Sequence, residues 1–174
     1  MQAFTFYASE DKLVNRGNSA GEKMGVDSIN REAAKIATEV ADEGGALTLG
    51  GICQCPSYLT GKTKDQVQAE FKKQLKVFEE TGMDFLLCEY FEHIEEMEWA
   101  IEVCLTTGKT VAASMCIGPE GDMHGVSAEE CAVRMAKAGA HVVGVNCHFD
   151  PFVSLTAMKK MKDGFYIPKL ISFS

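Results

Sequence analysis

Residues 142–151 read Val142-Val143-Gly144-Val145-Asn146-Cys147-His148-Phe149-Asp150-Pro151, a short valine-rich run that ends in polar and reactive side chains. That pattern predicts a buried parallel strand delivering functional groups at its carboxyl end. Alternation along such a strand puts Val143, Val145 and Cys147 on one face. The expectation is that the thiol continues an inward row toward a ligand.

The same grammar extends in both directions. Residues 1–8 alternate Phe4 and Phe6 with Thr5 and Tyr7 and predict a strand with no lead-in, followed by a glycine-dotted loop over 9–26. Asp27 or Ser28 can cap a helix over 29–43 that stops at Gly44-Gly45. A strand at about 46–53, a loop at 54–58 and a helix over 64–81 follow, the helix opened by Thr63 and Gln66 at capping-box spacing and faced by Phe71, Leu75 and Phe78. Strands at 83–88, 110–116 and 140–147 alternate with helices over 92–107, 127–138 and 152–162, with Ser127 and Glu130 forming another capping box. Helix stops at Gly44, Gly82, Gly108, Gly139 and Gly164 recur at the length of one βα unit.

Five strands each followed by a helix require a parallel sheet. A doubly wound five-stranded sheet suits the length, since a complete (β/α)8 barrel takes about 250 residues. The abrupt start on a strand, the absence of a phosphate-binding glycine fingerprint around Gly50-Gly51, and the polar strand ends favour a segment of about five units of a (β/α)8 TIM barrel instead.

Composition narrows the chemistry. The chain of 174 residues is 46% hydrophobic and 24% charged, ordinary for a soluble globular domain, with no membrane-length apolar tract and no secretory leader, so the cytoplasm is the expected compartment. A net charge of −8 without a basic cluster argues against nucleic acid as a partner. Seven cysteines spread through predicted elements do not suggest a disulfide framework, and Cys53-Gln54-Cys55 has the wrong spacing for a zinc knuckle or redox pair.

Every predicted strand ends in a polar or reactive group: Tyr7, the Gly50-Gly51 turn with Gln54, Glu89-Tyr90, Cys116, and Asn146-Cys147-His148. Parallel strands send all of these to one face. A carboxylate beside aromatic rings suits an amine or a quaternary ammonium substrate, and a thiol there can serve as a metal ligand.

Four of these runs carry a resemblance: Phe4-Thr5-Phe6-Tyr7-Ala8-Ser9-Glu10-Asp11, Cys88-Glu89-Tyr90-Phe91-Glu92-His93, Met115-Cys116-Ile117-Gly118-Pro119-Glu120-Gly121-Asp122, and Gly144 to Pro151. Together they resemble the betaine–homocysteine S-methyltransferase family, over residues 1 to about 164. The resemblance implies a (β/α)8 barrel and zinc-dependent transfer of a methyl group from glycine betaine to homocysteine, giving methionine and dimethylglycine. It makes Cys147 the first of three cysteine ligands to zinc, assigns Tyr7 and Glu89 to the catalytic site, and places Phe6, Tyr90, Gly50 and Gly51 around the substrate. S-methylmethionine as donor, or a non-catalytic fragment acting through protein association, are the alternatives. The adjacent Cys-Cys pair that completes the metal set, the first barrel strand with its aspartate and the arm of the family homo-oligomer have no counterpart here. Residues 165–174 read as a divergent tail. The expectations are weak zinc binding, no turnover by these residues alone, and aggregation through open sheet edges.

Overall fold

The computed structural model describes residues 1–15 and 19–165. In chain order its elements are β1 (Gln2–Ala3), α1 (Glu10–Asn15), α2 (Ser19–Gly44), β2 (Leu49–Ile52), α3 (Pro56–Leu59), α4 (Lys64–Glu80), β3 (Phe85–Phe91), α5 (Ile94–Leu105), β4 (Thr110–Met115), α6 (Ala128–Lys137), β5 (Val142–Val145) and α7 (Pro151–Gly164). All neighbouring strands pair in parallel, and the order across the sheet is β1-β2-β3-β4-β5. A doubly wound sheet reverses its strand order partway; this one does not, so the sheet is an arc of a (β/α)8 barrel.

Register shows which side of the sheet faces the helices. Ala3, Gly50, Leu86, Val111 and Val143 stand in one row across the strands or directly beside it. A Cβ on Gly50 would lie 2.6 Å from the ring of Phe78 in α4, so this row faces the helical layer. Between the two layers lies the core, with Phe71, Phe78, Phe91, Met97, Ile101 and Met135 fully buried. Gln2, Leu49, Gly51, Leu87, Glu89 and Ser114 face the other way, into the concave side of the arc.

Capping follows the sequence at two of the predicted starts. Gln66 Oε1 accepts from the Thr63 backbone N–H at 3.0 Å, and Ser127 Oγ accepts from the Glu130 N–H at 3.2 Å. The α7 start is capped by Asp150, whose Oδ1 accepts from the N–H groups of Phe152 and Val153 at 2.8 and 3.2 Å.

Several boundaries differ from expectation. The predicted loop over 9–26 contains α1 and the start of α2, and the helix is interrupted at Gly25 (φ 74°) rather than begun at Asp27 or Ser28. The first strand is two residues long because Thr5 and Ala8 fold back in turns, with backbone bonds from Thr5 N to Ala3 O and Ala8 N to Thr5 O. Val143 and Val145 face the helices, not the interior, since their row is that of Ala113 and Cys88. Residues 166–174, most of the predicted tail, lie outside the described residues. No helix among those described is long and apolar enough to cross a membrane.

Candidate functional site

β3 builds the centre of the site by breaking its own regularity. Its register with β4 shifts between Cys88 and Phe91, and Tyr90 adopts φ 61°. A regular strand would send Tyr90 to the helix side with Leu86 and Cys88. The bulge instead brings two consecutive side chains, Glu89 and Tyr90, to the strand-end face. Left-handed backbone at a bulky aromatic residue is costly and is held only where its surroundings enforce it. Here Asn146 does so: with its amide nitrogen donating to Ser114 Oγ (3.3 Å) and Ser114 O (3.1 Å), its oxygen accepts from the Tyr90 N–H at 3.2 Å.

Three aromatic rings gather beside this bulge. Phe6 and Tyr7 meet edge to face with centroids 4.9 Å apart, and Tyr90 lies 6.4 Å from Phe6 and 6.1 Å from Tyr7. Burial and the neighbouring Tyr7 push the Tyr90 phenol up to about 12, so it stays protonated near neutrality. Glu89 is half-buried. Burial pushes its carboxyl up, and the Gln2 amide, which donates to Oε1, opposes that shift. Gly51 is the residue that makes room for this pair: a Cβ there would lie 2.9 Å from Glu89 Oε1 and 3.0 Å from Gln2 Nε2.

The turn carrying Phe6 and Tyr7 is fastened from below. Gln74 of α4, fully buried, donates to Thr5 O and to Asn30 Oδ1, both at 2.9 Å, and Asn30 of α2 donates to Ala8 O at 2.9 Å. Thr5 Oγ1 reaches Gly51 O at 2.8 Å. Lys12, only 7% exposed, holds its ammonium 4.4 Å from the Tyr7 ring centroid and donates to Cys53 Sγ. Cys53 in turn contacts Phe6 O at 2.6 Å. Burial pushes its thiol up to about 11 despite the adjacent lysine, so it is a neutral donor rather than a thiolate.

Cys147 arrives differently. β5 ends at Val145, and Cys147 and His148 both turn left-handed, with φ 56° and 53°. Strand alternation therefore does not place this thiol. Continued regularly, the strand would have driven Cys147 under the helices with Val143 and Val145; the turn leaves it exposed. His148 Nε2 pairs with the Tyr90 hydroxyl at 2.7 Å, and His148 Nδ1 lies 3.5 Å from Glu92 Oε1. Cys116 is a second thiol that interacts with Cys147, and burial followed by the Cys147 thiol pushes Cys116 up to about 12. All seven cysteines are free.

The predicted residues Phe6, Tyr7, Gly51, Glu89 and Tyr90 are thus brought together, with Cys147 joined to them through His148. Gly50 is not among them, because it packs under Phe78. Sequence reasoning missed Gln2, Lys12, Asn30, Gln74 and the bridging role of Asn146. Gln74 alone left a signal, a polar residue on the apolar face of Phe71, Leu75 and Phe78. As for a metal, no group of three His, Cys, Asp or Glu side chains among the described residues could hold one. The donors present do not fit a three-thiolate zinc set.

Comparison with known proteins bears on the whole arc. A family model described as Homocysteine S-methyltransferase matches residues 1–172. The chain is 57% identical over 173 residues to betaine–homocysteine S-methyltransferase 1 of Rattus norvegicus, covering 99% of this chain and 42% of that protein. It is 58% identical over 164 residues to the Sus scrofa protein of the same name, covering 94% of this chain and 59% of that one. The chain therefore spans well under two thirds of these relatives. Among solved structures, the metallated form of the homocysteine methyltransferase MmuM from Escherichia coli superposes with a TM-score of 0.74 at 16% identity, covering 92% of this chain and 61% of that chain. That likeness speaks to the fold.

Proposed function

We propose, because the chain belongs to the homocysteine S-methyltransferase family, that its strand-end face binds the substrates of methyl transfer from glycine betaine to homocysteine. The observation that carries this reading is the ring trio of Phe6, Tyr7 and Tyr90 beside the half-buried Glu89. Aromatic faces attract a quaternary ammonium without needing a proton on it, which suits a fully methylated nitrogen. Glu89 supplies the charge complement to the α-amino group of homocysteine, and Gly51 leaves that carboxylate room. In the transfer itself the homocysteine sulfur forms a bond to a methyl carbon as the carbon–nitrogen bond breaks. The electron pair of the broken bond stays on nitrogen as the amine of dimethylglycine, which takes up a proton equivalent to the one the thiol loses, so the products are methionine and zwitterionic dimethylglycine. The work of these residues is orientation and exclusion of water.

Cys147 is read as a single thiol ligand contributed toward a zinc ion. The cytoplasm as compartment is supported by seven free thiols. A barrel unit closing at residue 164 is supported by the tight approach of Gly164 to Glu129 O, where a Cβ would lie 2.6 Å away, although the family match runs on to residue 172.

Calorimetric titration of the chain with glycine betaine tests the reading. Weak binding is expected, reduced about tenfold or more by Tyr90→Ala and by Tyr7→Leu, in line with the loss of a desolvated cation–π contact. Equal affinity in wild type and both variants would remove the ring trio as the cation site. Metal analysis of the same preparation is expected to find zinc well below one per chain, and an assay with betaine and homocysteine to find no turnover.

A further inference from the structure

Beneath the ring trio lies a buried positive charge with no negative charge paired to it. Lys12 of α1 is 7% exposed, and its ammonium sits 4.4 Å from the Tyr7 ring centroid. Its hydrogen-bond partner is the Cys53 thiol, which burial keeps neutral by pushing it up to about 11. Glu96 feels Lys12, but burial pushes its carboxyl up to about 8, so it stays largely protonated at pH 7. Asp11, the next residue along, is taken up by Ser9 Oγ at 2.7 Å and by the Ser57 N–H at 3.1 Å. Among the described residues no carboxylate forms an ion pair with Lys12. Buried lysines are ordinarily paired, because an uncompensated charge out of water is costly.

This charge is placed where a ligand of the strand-end face would feel it. A molecule in contact with the Tyr7 ring lies within about 10 Å of the ammonium, inside the screening length of ordinary buffers. Glu89 does not neutralise Lys12, since the causes of its own shift are burial and Gln2. Aromatic faces by themselves take up any quaternary ammonium. A fixed positive charge behind one of those rings opposes a bare cation and favours a ligand that brings a carboxylate as well.

We propose that Lys12 is the residue that selects a zwitterion over a bare quaternary cation at this site. Its charge, acting past the Tyr7 ring, draws the carboxylate end of the ligand toward the Tyr7 side of the trio while the rings hold the methylated nitrogen. Lys12 does not touch the ligand; it is a positioning residue. The inference rests on the ring trio being the cation site.

Calorimetric titration with glycine betaine and with choline separates the two contributions, because choline keeps the trimethylammonium head and replaces the carboxylate with an uncharged alcohol. At pH 7 and low salt the wild type is expected to favour betaine about tenfold, the scale of one charge contact at this range. Lys12→Met keeps the apolar stem; it should weaken betaine about tenfold, leave choline unchanged or tighter, and so abolish the preference. Lys12→Arg should retain it. Circular dichroism serves as the folding control for both variants. Equal affinity for betaine and choline in the wild type would overturn the proposal without recourse to any variant. So would a folded Lys12→Met protein that weakens both ligands alike, or one that keeps the full preference. A wild type that binds neither ligand would instead remove the ring trio as the cation site, and this inference with it.

Discussion

Around Phe6 and Tyr7 the backbone is held by buried side chains from α1, α2 and α4 and from the Cys53 loop, whereas at Cys147 and His148 it is held mainly by its own turn and by a cap. Gln74, Asn30, Thr5 and Lys12 all lie at or below 7% exposure beneath the first region. The second rests on Asp150 at the head of α7 and on His148 meeting Tyr90. The aromatic cradle is thus built into the core, while the sulfur is presented from a surface turn. A binding pocket for a bulky cation needs fixed ring positions, and fixed positions require buried, satisfied partners. A lone thiol needs only exposure and reach.

The sharpest way to break this contrast is at Gln74. Gln74→Leu strips the donor from Thr5 O and Asn30 Oδ1 and leaves both acceptors buried, which should cost about 2–4 kcal/mol in urea unfolding and weaken betaine binding with it. A loss below about 0.5 kcal/mol would mean that the turn holds itself.

Next comes Glu96, wholly buried beside the same region, where its Oε1 accepts from the Cys55 N–H at 2.7 Å. Burial pushes its carboxyl up to about 8, from 4.5. The folded state therefore binds this proton more tightly than the unfolded chain, and stability falls as pH rises from about 4.5 to 8. Glu96→Gln keeps an acceptor for Cys55 and removes the titration. It should flatten that fall, gaining on the order of 1–3 kcal/mol over wild type at pH 8 and little at pH 4.5. Parallel pH profiles in the two proteins would contradict the assignment.

Smaller effects are expected at the sulfur end. Asp150→Ala removes the cap of α7 and should cost about 1 kcal/mol by thermal unfolding, leaving betaine affinity unchanged. Smallest is Tyr90→Phe, which deletes the exposed bond to His148 but keeps the ring, for a change of about 0.5 kcal/mol and a nearly intact cation site. If Tyr90→Phe abolished binding, the two regions would be one coupled unit and the contrast would fail.

Periodicity and glycine stops located the later strands and the helices α4 to α7 because those signals are local, and the parallel sheet followed from their alternation; α1, the start of α2 and the one-turn α3 lay in stretches read as loops. What local signals missed was the interior row. Val143 and Val145 are apolar on either face of a strand, so their sequence could not say that they point toward α6 and α7 rather than into the arc. Only the register with Ala113 shows it. The bulge at Glu89-Tyr90 was likewise invisible, since nothing in Cys-Glu-Tyr-Phe requires a left-handed tyrosine.

By itself the sequence determined the βα rhythm, the gathering of polar groups at one set of strand ends, and the family, because each rests on residue types at fixed short spacings. The tertiary structure alone decided which side chains reach one another there. It pinned the Phe6–Tyr7 turn through Gln74 and Asn30, residues many positions away, turned Tyr90 to join Glu89, and kept Cys147 out of the core by bending the chain at the end of β5. Those outcomes depend on contacts between distant segments competing for the same buried space, and such competition has no signature in any single stretch of chain.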